Sequence, residues 1–148
     1  MAIRTSIIET MEAKAFEDYR RNYYSNLLIE KNITEHYFSW LKLTIHTGML
    51  KGGGVLHTPS NRYDIEISYS PFFEYRFDRI YINGAGIAYN NKIHVYRDLS
   101  LCLYHPVQDK PVGKIIHLTK MVPWISEWCI HFEEWKKYGV WLGREITH

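Results

Sequence analysis

The segment Arg62–Tyr69, RYDIEISY, alternates without a break. Tyr63, Ile65, Ile67 and Tyr69 point to one side of an extended chain, and Asp64, Glu66 and Ser68 to the other. A period of two buries its apolar set as a strand with one face on a core and one in water, the pattern of an antiparallel sheet. The flanking segments extend it. YFSWLKLTIHT (37–47) mixes aromatic and β-branched residues. MLKGGGVLHT (49–58) follows, with Gly52, Gly53 and Gly54 read as a turn or bulge. Pro71 ends the alternating run, and FDRIYI (77–82) is a fourth short strand closed by NGAG. Four strands joined by short turns predict an antiparallel meander with helices against one face, an α+β fold.

Helical signals lie on either side. From Ser6 to Leu28 the residues Ile7, Ile8, Met11, Ala15, Tyr19 and Tyr23 recur at spacings of three and four. Ser6 and Glu9 stand in capping-box positions. Near the other end, Pro123 suits a first helical position, and Trp124, Ile125, Trp128, Phe132 and Trp135 fall on one stripe. The stripe and Trp141 read as core, and Cys129, at the stripe's edge, as structural. Gly139 is the expected stop.

A chain of 148 residues is expected to form one domain, 1–148. Its net charge of +2 lacks a basic stripe, since Lys110, Lys114 and Lys120 are spread out, so no nucleic-acid partner is expected. No apolar run approaches the roughly 20 residues that span a bilayer, and Glu9 and Glu12 interrupt the start where a signal peptide needs an apolar core. Two cysteines, Cys102 and Cys129, fit a cytoplasmic protein with reduced thiols and no membrane partner.

Cys102 stands in HVYRDLSLCLYHP (94–106) and has three readings. Buried cysteine is often inert, and LSLCLY fits a short buried strand. The spacings Cys102-Leu-Tyr-His105 and Cys129-Ile-His131 resemble metal ligands, but positions two apart on a helix diverge by about 200°, so no metal is expected. The third reading is a nucleophile. It needs a thiolate, a polar group for developing charge and access for a carbonyl. Asp98, Ser100 and Pro106 imply loop surroundings that favour it.

The order of elements is that of the ubiquitin-conjugating enzymes, and the chain resembles their bacterial relatives. Those relatives carry an H-x-Y-x-D-G-S-L-C-L-Y segment, then P-W-[TS]-x-E-W, then G-x-W-L-G. Here the first reads His94, Tyr96, Asp98, Ser100, Leu101, Cys102, Leu103 and Tyr104. The second reads Pro123, Trp124, Ser126, Glu127 and Trp128, and the third Gly139, Trp141, Leu142 and Gly143. The match is strongest over residues 94–143 and is similar to the stand-alone conjugating proteins of CBASS antiphage operons.

The resemblance implies a ubiquitin-conjugating-like fold and a thioester on Cys102, with no cofactor. The acyl donor would be the C-terminus of a partner protein, a cGAS-like nucleotidyltransferase, and the acceptor an amine on a target protein. His94, eight positions before Cys102, stands where eukaryotic members place an oxyanion-stabilising Asn. Asp98 would assist the attacking amine or form a turn. Tyr96, Ser100, Tyr104 and His105 are expected to bind the donor tail. Leu99 replaces a glycine of the relatives; where that glycine has positive φ, Leu99 is expected to be strained. The competing readings are a binding scaffold without covalent transfer and a cysteine hydrolase.

Overall fold

The computed structural model describes residues 21–71, 76–106 and 115–143, with Lys14, Glu17, Phe73 and Asp109. The capping residues Ser6 and Glu9 and the basic residues Lys110 and Lys114 lie outside them. Helix α1 (Tyr23–Tyr37) leads into strands β1 (Lys42–His46), β2 (Met49–His57), β3 (Arg62–Tyr69) and β4 (Asp78–Asn83), and helix α2 (Leu118–Tyr138) follows. The strands form one antiparallel sheet in the order β1-β2-β3-β4, the expected meander. In β3, Tyr63, Ile65, Ile67 and Tyr69 are all buried. They join Leu43, Leu50, Leu56 and Ile80 in a core closed by Leu27 of α1 and by Leu118, Met121, Ile125, Trp128 and Phe132 of α2.

The glycine run is a correction. The β1–β2 turn falls at Thr47–Gly48, both with positive φ (46° and 76°), the geometry that two-residue hairpins favour. Gly52, Gly53 and Gly54 sit inside β2, paired with Leu43 and Lys42 on one side and Ile65, Glu66 and Ile67 on the other. Glycine is required there by close approach. A Cβ on Gly53 would lie 1.9 Å from the Ile65 carbonyl oxygen, and one on Gly54 the same distance from that of Trp40.

Helix boundaries also differ from expectation. Most of the expected Ser6–Leu28 helix lies outside the described residues; the described helix α1 continues beyond Leu28 to Tyr37, and it buries Leu27, Glu30 and Thr34 while exposing Ile29, Ile33 and Tyr37. Polar groups hold it in place. Glu35 Oε2 accepts the Leu43 amide (2.8 Å), and Glu30 Oε1 accepts the Leu118 amide (2.6 Å). That second bond explains why α2 starts at Leu118, five residues before Pro123. Its N-cap, His117, makes no side-chain cap bond. A carboxylate from another helix does the capping, favoured by the helix's positive end. Glu30 Oε2 also bonds His117 Nδ1 (2.8 Å), which raises the imidazole pKa. Pro123 thus lies inside α2. At the other end Gly139 ends the helix as expected, in left-handed conformation, its amide bonding the Trp135 carbonyl at 2.8 Å.

Gly53→Ala is expected to lower unfolding stability by about 2 kcal/mol or more, because the β3 backbone at Ile65 must move away from β2. Urea denaturation measures this, with Lys51→Ala, exposed on the same strand, as the control expected near zero.

Candidate active site

Beyond β4 the chain returns along the sheet edge and builds a compact loop around Cys102. The Leu101 amide bonds the Ile80 carbonyl of β4 (2.8 Å), and Val95 and Leu101 form an antiparallel bridge. Between them Tyr96–Ser100 makes a tight turn. Asp98 Oδ1 closes it by accepting the Ser100 amide (2.9 Å) and hydroxyl (2.6 Å). The Leu99 amide reaches back to the Tyr96 carbonyl (2.8 Å). Leu99 has φ 70°, so the residue that replaces the relatives' glycine does occupy the left-handed region. Its side chain is exposed, which meets the steric cost in the backbone alone.

His94 has φ 54° and anchors the other end. Its carbonyl accepts both the Cys102 amide (2.9 Å) and the indole N–H of Trp128 (3.1 Å), which also reaches the Ile93 carbonyl (2.9 Å). The His94 ring lies 5.1 Å from that of Trp141, centroid to centroid.

The Cys102 thiol is 2% exposed, yet it forms part of the wall of a cavity of about 420 Å³. That volume is in the range of ligand pockets. His94, Tyr104, Trp124, Trp128 and Trp141 supply its other ring-bearing walls. Lys120, Glu127, His131 and Asp109 bring charge or polarity. The cavity thus lies between the Cys102 loop, the first half of α2 and the residues just past Gly139. Gly143 closes against His131, since a Cβ there would stand 2.6 Å from the imidazole.

Behind the thiol is a second, buried layer. Cys102 Sγ and the Tyr96 hydroxyl both approach the Tyr104 carbonyl (3.8 and 3.5 Å). The Arg76 guanidinium stacks 3.6 Å over the Tyr96 ring, donates to Ser100 Oγ (2.9 Å) and stands 3.6 Å from Asp98 Oδ2. The Tyr104 hydroxyl accepts the Phe77 amide (2.8 Å). Asp78 is 1% exposed, and neither carboxylate oxygen has a hydrogen-bond partner within normal reach.

These surroundings set the ionisation. Burial pushes the Cys102 thiol up to about 11; the Tyr96 hydroxyl and the Arg76 cation act against burial, and Asp78 and Asp109 reinforce it. Burial also lifts Asp78 to about 6, with Arg76 and the nearby Tyr104 hydroxyl resisting. For Asp98, burial is outweighed by Ser100, Arg76 and Tyr81, so its carboxyl sits below the usual range. Cys129, buried in the core, is pushed up to about 12 by burial first and Glu133 second.

The structure therefore brings Cys102, His94 and Tyr104 together on one cavity wall. Tyr96, Asp98 and Ser100 lie in the layer that shapes the loop and do not line the cavity. His105 is not on the wall either; its amide donates to Asp109 Oδ2 (2.7 Å). The sequence reading missed Arg76 and Asp78, and it took as core two tryptophans, Trp124 and Trp141, that are half-buried and line the cavity. The signal for Arg76 was a lone cation in FFEYRF, where an aromatic run forces it into the interior. Among the described residues, no group of three or more His, Cys, Asp or Glu is placed to hold a metal, and no helix is long and apolar enough to cross a membrane.

Compared with models of known protein families, residues 30–148 match the Type II CBASS E2 protein. The chain belongs to this family. The match takes in the sheet, the Cys102 loop, the cavity and α2, and it assigns the chain a role in CBASS antiphage defence. E2 proteins are a conjugating class, which gives its activity at the coarsest level. Comparisons with curated proteins and with solved structures find no match.

Two outcomes follow for this site. Iodoacetamide is expected to modify neither thiol quickly at pH 7. The Cys102 rate should climb about tenfold per pH unit toward pH 11, ahead of Cys129, as read by peptide mass. Leu99→Gly is expected to raise stability by about 1 kcal/mol in thermal unfolding, because it removes the left-handed penalty at a position where the leucine side chain is only partly covered.

Proposed function

We propose that this CBASS E2 protein is a cysteine-dependent conjugating enzyme that carries the C-terminus of a partner protein on Cys102. The carrying observation is that Cys102, the cysteine of the segment that resembles H-x-Y-x-D-G-S-L-C-L-Y, lines a cavity of about 420 Å³, and we take that cavity as the seat of the extended chain end. The partner proposed is a cGAS-like nucleotidyltransferase, and the acceptor is an amine on a target protein.

The chemistry suits a buried sulfur. Thiolate is penalised by the apolar surroundings, but an acylated sulfur carries no charge, so the same surroundings leave the thioester undisturbed. Transfer begins when a neutral amine attacks the carbonyl carbon. A C–N bond forms, the C–S bond breaks, and the proton lost by nitrogen restores the thiol. The oxyanion between these steps needs a donor on the cavity wall, and His94 is the side chain offered. Tyr104 supports the wall from which the donor tail is gripped. Tyr96, Asp98 and Ser100 act through the loop, by holding its turn.

One observation favours the competing scaffold reading. A thiol at about 11 is protonated at neutral pH, which suits a protein that binds its partner without acylation. The two readings part in one measurement. The chain is co-expressed with the nucleotidyltransferase of its operon, and the complex is analysed by intact mass. An adduct equal to the two chains less one water, cleaved by excess dithiothreitol and absent in Cys102→Ala, is the expected result. Co-elution of unmodified chains would support the scaffold, and an adduct that survives Cys102→Ala would sink the assignment.

A further inference from the structure

We infer that Arg76 is a positioning residue for the Cys102 thiol, the buried cation against which its thiolate forms. Arg76 is 5% exposed, so water screens it little. It comes from the segment just before β4, whereas the thiol lies in the loop after β4. The guanidinium reaches across to that loop at three points: the Tyr96 ring, the Ser100 hydroxyl and the Asp98 carboxylate. Tyr96 in turn approaches the Tyr104 carbonyl that the thiol also faces. One side chain therefore holds the turn that carries the thiol, and its charge favours the thiolate.

Other titratable and charged groups surround the same sulfur. From its own loop there are Tyr96, Tyr104 and His94, and beyond it Asp109. From β4 there is Asp78, buried and without a hydrogen-bond partner. From α2, across the cavity, come Lys120, Glu127 and His131. Lys120 is exposed, so its charge is screened by solvent in a way that Arg76's is not. Arg76 and Asp78 are thus an opposed pair in the dry layer behind the thiol. The cation favours thiolate, the carboxylate disfavours it, and the sulfur responds to their difference.

This inference rests on Cys102 being the nucleophile of the proposed function, but its test reads the thiol alone. Alkylation of the Cys102 peptide by iodoacetamide is followed by mass spectrometry from pH 7 to 11. Arg76→Gln keeps a donor for Ser100 and removes the charge. Its rate at pH 9 is expected to fall about three- to tenfold, the effect of a pKa rise of half a unit to one unit. Arg76→Lys should stay within about twofold of the parent protein. Asp78→Asn should move the rate the other way, up about threefold.

A purely structural role gives the opposite sign for Arg76→Gln. A loosened loop lets water reach the sulfur, relieves the burial and speeds alkylation. A rate at or above that of the parent protein in Arg76→Gln would therefore overturn the inference. Should that variant not fold, Asp78→Asn decides alone, since an unchanged profile there means the thiol does not sense this layer of charge. Failure of the thioester experiment with an intact titration result would instead count against the conjugating reaction and leave the role of Arg76 in place.

Discussion

The indole N–H of Trp128 is shared between the carbonyls of Ile93 and His94, and the active-site architecture depends on that sharing. The His94 carbonyl also receives the Cys102 amide. One oxygen therefore ties a helix, the start of the loop and Cys102 to a common point. It can do so because His94 adopts a left-handed conformation that turns its carbonyl toward both donors. Trp128 is itself fixed by burial and by stacking on Phe132 at 5.0 Å. The cavity is consequently a property of how α2 sits and not of the loop alone.

How α2 sits is decided by Glu30. A buried carboxylate on α1 receives the first amide of α2 and bonds the adjoining imidazole. At the far end of the helix Glu133 accepts hydrogen bonds from Asn61 (3.2 Å), Tyr63 (2.9 Å) and Thr58, which lie at the β2–β3 turn and the start of β3. Two carboxylates thus pin the helix at both ends, while the apolar stripe between them fills the core. The angle of the cavity wall follows from these polar ties more than from the stripe, since apolar packing is non-directional and hydrogen bonds are not.

Much of this was legible in the chain, for physical reasons that differ by element. β3 was clear because its period matches its one-sided burial. Cys102 stood out because the residues around it match a spaced motif, and Gly139 because a helix end wants a residue free to turn left-handed. Three features were hidden by partners remote in sequence. The start of α2 carries no local cap, because Glu30 supplies it from 88 positions away. The inner face of α1 is partly polar, with Glu30 and Thr34 buried and Ile29 outside, so an apolar pattern misplaced its extent. The glycine run looked like a turn because the crowding that demands it comes from Ile65 and Trp40. At the site, the motif pointed to the cavity wall around Cys102 and to the tight turn, whereas the buried charges near the thiol came from a segment outside the motif.

The outer wall of the cavity is made by residues that follow the last helix. Trp141 is held there by ring contacts with His94, Trp128 and His131, at 5.1, 5.7 and 5.6 Å. Contacts of this kind contribute about 1 kcal/mol each, so swinging the indole aside costs on the order of 3 kcal/mol. A wall braced in this way keeps its shape whether or not the cavity is filled, so the space that Trp141 shares with Cys102 is set before anything enters it.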